Sequence, residues 1–166
     1  GIVIDILRAD NSVLATYTCM PGAWAGAETL VPSGFQYIGD GSGPVRVRIG
    51  PLAASGHFAG AIDNLQVIRG TRAFVEEFNT YTGNQNALQF QTGLKVSHSG
   101  NLAGWNKAGS GTVHAVDRSG SGNYAPMFWQ DNVITLAAGI TANGLNENYS
   151  VEFFGSPATY NEGSQA

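Results

Sequence analysis

The segment of this sequence with the most residues suited to ligand chemistry is 124–132, which reads YAPMFWQDN. Aromatic side chains offer flat apolar faces to sugar C–H groups, while amides and carboxylates hydrogen-bond to sugar hydroxyls, so this combination predicts a carbohydrate-binding surface. The candidate ligand-binding residues are Tyr124, Trp129, Gln130, Asp131 and Asn132. Two alternatives remain open, because strand alternation can bury Trp129 in the core and because Asp131 and Asn132 also suit a turn.

Catalytic chemistry is not expected. The sequence contains no G-x-S-x-G, H-E-x-x-H or P-loop motif and no Cys/His pair. Nothing in the sequence selects two of its 12 acidic residues as the carboxylate pair of a glycoside hydrolase. The three histidines, His57, His98 and His114, do not have metal-ligand spacing. We therefore predict a protein that is not an enzyme.

Composition excludes several partners. Charged residues make up only 12% of the chain and the net charge is −4, so the sequence lacks the basic surface that nucleic acid requires. No stretch approaches the roughly 18 apolar residues of a membrane span. The single cysteine, Cys19, cannot form an intrachain disulfide. With only two lysines and 23 glycines, the composition suggests an extracellular or cell-surface β-protein.

The elements that must position these residues are strands. Apolar side chains recur with period two at Ile2, Ile4 and Ile6, and Val151 and Phe153 alternate with Glu152 and Phe154. No long window has helical periodicity, and glycine-rich turns separate the segments. The pattern predicts one all-β domain over 1–166, an antiparallel jelly-roll β-sandwich. It also predicts a hairpin of residues 2–7 with 13–18, and a second hairpin over 33–49 whose turn is DGSG at 40–43.

Four phrases resemble the galactose-binding-like β-sandwiches found among bacterial carbohydrate-binding modules. They are GNLAGW at 100–105, YSVEF at 149–153, the segment 39–49 and GAIDNL at 60–65. Their order is reversed, since 1–69 resembles the closing half of that family and 71–166 the opening half. Three explanations fit this order. The chain is circularly permuted, or it is one period of a tandem array that starts at a different point of the repeat, or it exchanges halves with a neighbouring copy. All three predict that residues 164–166 lie near residues 1–3, within one chain or across two.

The resemblance implies a structural Ca2+ where the first and last strands of the family meet. The matching carboxylates here are Asp63 and Glu77, with Glu76 as an alternative to Glu77. A second interpretation is also open, in which Asp63 hydrogen-bonds a turn and the glutamates are solvated. The resemblance further implies a non-catalytic carbohydrate-binding module whose partner is a polysaccharide. The alternative function is a structural or adhesive repeat unit that self-associates head to tail through its termini.

Overall fold

The computed structural model describes residues 1–19, 30–52, 55–83, 88–91, 94–97, 100–109, 114–117, 122–130 and 132–161. Every helix or strand assigned within these ranges is a β-strand. The fifteen strands are β1 (Ile2–Leu7), β2 (Val13–Cys19), β3 (Val31–Ile38), β4 (Arg46–Pro51), β5 (Ser55–Arg69), β6 (Thr71–Glu76), β7 (Tyr81–Gly83), β8 (Leu88–Gln91), β9 (Leu94–Ser97), β10 (Gly100–Leu102), β11 (Trp105–Ala108), β12 (His114–Asp117), β13 (Tyr124–Gln130), β14 (Val133–Leu136) and β15 (Asn148–Asn161). Among the described residues, no helix is long and apolar enough to cross a membrane.

The strands form two antiparallel sheets that pack face to face. The small sheet has five strands in the order β11-β14-β4-β1-β2. The large sheet has eight, in the order β3-β15-β5-β13-β12-β9-β8, with β6 paired to the far end of the long strand β5. A two-stranded ribbon of β7 and β10 accompanies them. The predicted all-β antiparallel sandwich is therefore confirmed.

The core follows from the alternation in the sequence. Ile4 and Ile6 of β1 lie beside Ile49 and Val47 of β4, and all four side chains are fully buried. The large sheet contributes Val151 and other buried apolar side chains to the same core cluster. Burying each large aliphatic side chain contributes roughly 1.5–3 kcal/mol, so this cluster holds the two sheets together.

One predicted hairpin is confirmed and the other is wrong. Strands β1 and β2 pair in antiparallel fashion around a turn at residues 8–12, as expected. Strands β3 and β4 do not pair with each other, because β3 pairs with β15 in the large sheet and β4 pairs with β1 and β14 in the small sheet. Residues 39–45 are therefore a crossing between the sheets. Alternation identified both strands correctly but carried no information on which sheet each would join.

Both halves of the chain contribute strands to each sheet. Strands β1, β2 and β4 of the first half complete the small sheet with β11 and β14 of the second. Near the two ends of the chain, Ile2 pairs with Pro51 and Asn161 pairs with His57, and only a short connection separates Pro51 from His57. Ile2 and Asn161 therefore lie at the same end of the sandwich. Residues 164–166 fall outside the described residues, so their predicted proximity to Gly1 stays a prediction.

Candidate functional site

The predicted sugar-binding stretch lies in β13, a strand inside the large sheet between β5 and β12. Tyr124 is buried, its ring lies 5.0 Å from that of Tyr81, and its backbone N–H donates to Asn79 Oδ1 at 3.0 Å. Asn132 is also buried. Trp129 and Gln130 pair with β5 through their backbones, while their side chains and Asp131 fall outside the described residues. Tyr124 and Asn132 thus do not offer an open surface, and a ligand-binding role for this stretch stays a prediction.

The carboxylates expected to hold calcium have different environments. Asp63 is fully buried and its Oδ1 accepts the Asn64 backbone N–H at 2.8 Å, whereas Glu77 is exposed. The alternative residue, Glu76, accepts the Phe78 N–H at 2.6 Å and the Trp105 indole N–H at 2.8 Å, so both its oxygens stabilise the turn after β6. Ca2+ takes six to eight oxygen ligands. The described residues contain no cluster of three His, Cys, Asp or Glu side chains. A calcium site that includes Asp63 and Glu77 or Glu76 therefore stays a prediction.

The loop at 40–43 connects the two sheets, and its carboxylate, Asp40, is already bound by other protein groups. Asp40 forms an ion pair with Arg8 at 2.7 Å, and its other oxygen accepts from Ser42 and Asn143. Hydrogen bonds from Ser42 and from the Arg8 guanidinium lower the pKa of Asp40 below its usual value of 3.8. The carboxylate is consequently ionised and already fully engaged with the protein.

The outer face of the large sheet carries several polar side chains. The strand registers place outward side chains in rows across β3, β15, β5 and β6. One row runs Gly34, Glu152, Gln66, Val75, and the next runs Gln36, Ser150, Ile68, Arg72. Phe154 lies two residues beyond Glu152, beside Pro32. Amide, hydroxyl, carboxylate and aromatic groups are thereby brought onto one face.

This face contains a groove. A depression of about 530 Å³ is lined by Pro32, Ser33, Gly34, Asn64, Gln66, Glu152, Phe153 and Phe154. A second depression of about 240 Å³ shares Gly34 and Glu152 with the first and adds Gln36 and Ser150. We call the two together the outer-face groove. The two depressions adjoin, because both are lined by Gly34 and Glu152, so a ligand can occupy them together.

Two backbone features shape the outer-face groove. Asn64 has a left-handed backbone (φ 49°) and lies in a β-bulge, where Asn64 and Leu65 together oppose Phe153. The bulge turns Asn64 toward the groove while Leu65 stays buried. Gly34 leaves space beside Glu152, and a Cβ there would lie 2.7 Å from the Val151 carbonyl oxygen. Only glycine fits this close approach of β3 to β15 without a shift of the backbone.

The polar groups of the outer-face groove are available to a ligand. Within the described part of the chain, the side chains of Asn64, Gln66 and Glu152 form no hydrogen bond or ion pair with the protein. Phe154 is a large apolar residue, yet it is 37% exposed to solvent. Asn64 and Gln66 are partly exposed and Glu152 is exposed, so these groups can exchange water for the hydroxyl groups of a ligand beside the exposed ring.

A similar depression on the small sheet differs in this respect. It has a volume of about 540 Å³ and is lined by Val3, Asp5, Arg48, Gly50, Pro51, Leu52, Ala108, Val133 and Thr135. Its carboxylate, Asp5, accepts from Arg48 at 2.7 Å and from Thr16 at 2.8 Å. The charged groups there satisfy each other, so that depression offers a ligand fewer free partners than the outer-face groove.

Sequence reasoning did not select Glu152, Phe154, Gln66 or Asn64 as site residues. The alternation in β15 did contain a signal, because Phe154 falls on the same face as Glu152 and opposite the buried Val151 and Phe153. An aromatic residue on the polar face of a strand is a candidate for ligand contact. Gln66 and Asn64 could not be found in this way, since their proximity to Glu152 depends on the pairing of β5 with β15.

Comparison of the chain with family models, with curated proteins and with solved structures found no match.

Proposed function

We propose that this protein is a non-catalytic carbohydrate-binding β-sandwich that holds an extended glycan in the outer-face groove. The observation that carries the proposal is the groove itself, in which Asn64, Gln66 and Glu152 have no protein partner within the described residues and lie beside the exposed ring of Phe154. Sugars are recognised by this combination, because hydroxyl groups hydrogen-bond to amides and carboxylates while C–H faces pack on aromatic rings.

The finer assignments belong to the same proposal. A galactose-binding-like jelly roll with permuted halves is supported by the reversed order of the sequence phrases, and an extracellular or cell-surface location by the lysine-poor composition. The absence of a catalytic motif in the sequence supports a binding role rather than a catalytic one. A calcium ion at Asp63 and Glu77 would be structural and would not contact the glycan, because neither residue lines the groove.

The proposal is tested by affinity electrophoresis and isothermal titration against a panel of soluble neutral, amino and acidic polysaccharides. We expect retention by at least one of them. Replacement Phe154→Ala should weaken that binding by about five-fold or more, the equivalent of roughly 1 kcal/mol for one lost aromatic contact. Leu145→Ala is the matched control, since Leu145 is a 67% exposed apolar residue that does not line the groove. No retention by any polysaccharide, or equal losses in the two variants, would contradict the proposal.

The alternative function, a structural repeat that self-associates through its termini, stays a prediction. It requires concentration-dependent assembly, which sedimentation velocity measures directly. A monomer at all concentrations that is retained by a polysaccharide favours the binding module. Assembly without any retention favours the repeat unit.

A further inference from the structure

We infer that the outer-face groove selects glycans that carry protonated amino groups, and that Glu152 is the residue that determines this selectivity. The inference rests on the proposed function and specifies its ligand class. It does not use the stretch 124–132 or the carboxylates predicted to bind calcium.

The first step is the charge of the groove. Glu152 is exposed and is the one charged side chain among the residues that line the two depressions. The other lining groups are amides, hydroxyls, apolar side chains and backbone. The groove therefore has a single negative charge at the position where its two depressions meet, because both are lined by Glu152 and Gly34.

The second step is that this charge is not neutralised by the described residues. The three ion pairs within the described ranges join Arg8 to Asp40, Arg48 to Asp5 and Arg69 to Glu147, and none includes Glu152. Among the outward-facing side chains of β3, β15, β5 and β6 described above, the nearest cation is Arg72. It lies on β6, two strands away from Glu152, in the neighbouring row. Strand spacing and rise place their backbones about 12 Å apart. The structure shows no ion pair between the two side chains, so Arg72 does not neutralise Glu152.

The third step is access. Gly34 has no side chain and lies directly beside Glu152 on β3, so a ligand group can approach the carboxylate from that side. Gln66 lies beside Glu152 on β5 and supplies an amide for a neighbouring hydroxyl. An ammonium group on a sugar ring would pair with the carboxylate, while a uronate or sulfate group would be repelled by it. Charge complementarity thus favours an amino glycan and disfavours an acidic one.

The experiment compares three β-1,4-linked oligomers of equal length: glucosamine, N-acetylglucosamine and glucose. We expect the protein to bind the glucosamine oligomer most tightly when its amines are protonated, by roughly two- to five-fold for each ion pair formed. The preference should decline with added salt. Glu152→Gln, which keeps the shape of the side chain but removes its charge, should abolish the preference, so that the ratio of glucosamine-oligomer affinity to glucose-oligomer affinity falls to about one and no longer depends on salt.

The control variant is Asp10→Asn. It removes the same charge from an exposed turn of the small sheet, and the amide oxygen can still accept from the Ser12 N–H. If Asp10→Asn lowers the preference as much as Glu152→Gln does, net charge and not Glu152 causes it, and the inference is wrong. Equal binding of all three oligomers would refute the inference while leaving the proposed function intact. Binding of none of them, nor of any polysaccharide in the wider panel, would reject both.

Discussion

Asn143 joins two loops whose strands belong to different sheets, and replacing it tests how the sandwich is closed at that end. Its Oδ1 accepts the Asp40 N–H at 2.8 Å, and its Nδ2 donates to Asp40 Oδ1 at 2.9 Å, to the Gly43 carbonyl oxygen at 2.9 Å and to Ser42 Oγ at 3.2 Å. The side chain is only 6% exposed. Asn143→Ala therefore removes four hydrogen bonds and leaves backbone groups of Asp40 and Gly43 without this partner.

The size of the effect follows from these contacts. Asp40 Oδ1 and Ser42 Oγ are partly solvated and can turn to water, so the cost arises mainly from the Asp40 N–H and the Gly43 carbonyl. Each such group costs about 1–3 kcal/mol when it loses its partner, and we expect a total loss of roughly 3 kcal/mol. For a chain of this length that corresponds to a fall in Tm of about 6–12 °C.

The measurement is urea unfolding followed by tryptophan fluorescence, with thermal melting as a second probe. Asn148→Ala is the matched control, because Asn148 is exposed in the neighbouring strand β15 and its loss should change stability by less than about 0.5 kcal/mol. If Asn143→Ala also falls within about 0.5 kcal/mol of the unsubstituted protein, Asn143 does not hold the two loops together and the reasoning fails.

Four further predictions concern other parts of the molecule. Hydrogen bonds lower the folded-state pKa of Asp40, so the ionised carboxylate stabilises the fold fully above about pH 4 and this contribution is lost as the pH falls further. The Tm of Asp40→Asn should therefore decrease less between neutral and acidic pH than the Tm of the unsubstituted protein, and an equal decrease would contradict this. Tyr37→Phe should lower the free energy of unfolding by about 1–3 kcal/mol in a urea titration, because the buried Tyr37 hydroxyl donates to the Ala142 carbonyl oxygen at 2.7 Å. Tyr17→Phe, at a partly buried ring, should lower it less, and equal losses of stability in the two variants would contradict a role for this hydrogen bond. Ile49→Ala at the centre of the small sheet should cost about 2–5 kcal/mol, and a smaller loss would mean that the two sheets pack less closely than described. Calcium at Asp63 and Glu77 requires that EDTA lower the Tm and that added Ca2+ restore it, and an unchanged melting curve would remove both residues from the candidate metal ligands.

Local alternation in the sequence predicted several of the strands and the side chains that they bury. Period-two alternation identified β1 and its inward isoleucines, and the short turn after Leu7 identified β2 as its partner. These features are local, and the pattern that predicts them lies within about twenty residues of chain. The connection between β3 and β4 has an equally clear local pattern. However, β3 pairs with β15, more than 100 residues later, and β4 pairs with β1, about 45 residues earlier, and with β14, about 85 residues later. Alternation does not encode that choice.

The candidate site was harder to predict for the same reason. Residue type alone made 124–132 the richest stretch, yet the position of β13 inside the large sheet buries Tyr124. Conversely, the outer-face groove combines Gly34, Gln66 and Glu152 from three distant parts of the chain. These groups can be predicted to lie together only when the register of the three strands is known. The bulge that turns the Asn64 side chain toward the groove has no distinctive sequence signal.

The strands that form the outer-face groove lie far apart in the sequence, and this separation affects how the protein folds. Strand β15 lies about 80 to 100 residues after the parts of β5 with which it pairs, and β3 has no partner other than β15 within the described residues. Contacts so far apart in sequence form late, because a long loop must close before they gain any energy. Val67 and Val151 pair at the centre of this long-range contact and are buried. A ligand that binds only the folded protein lowers the population of the unfolded state, so hydrogen exchange at these two amides should slow when the ligand binds.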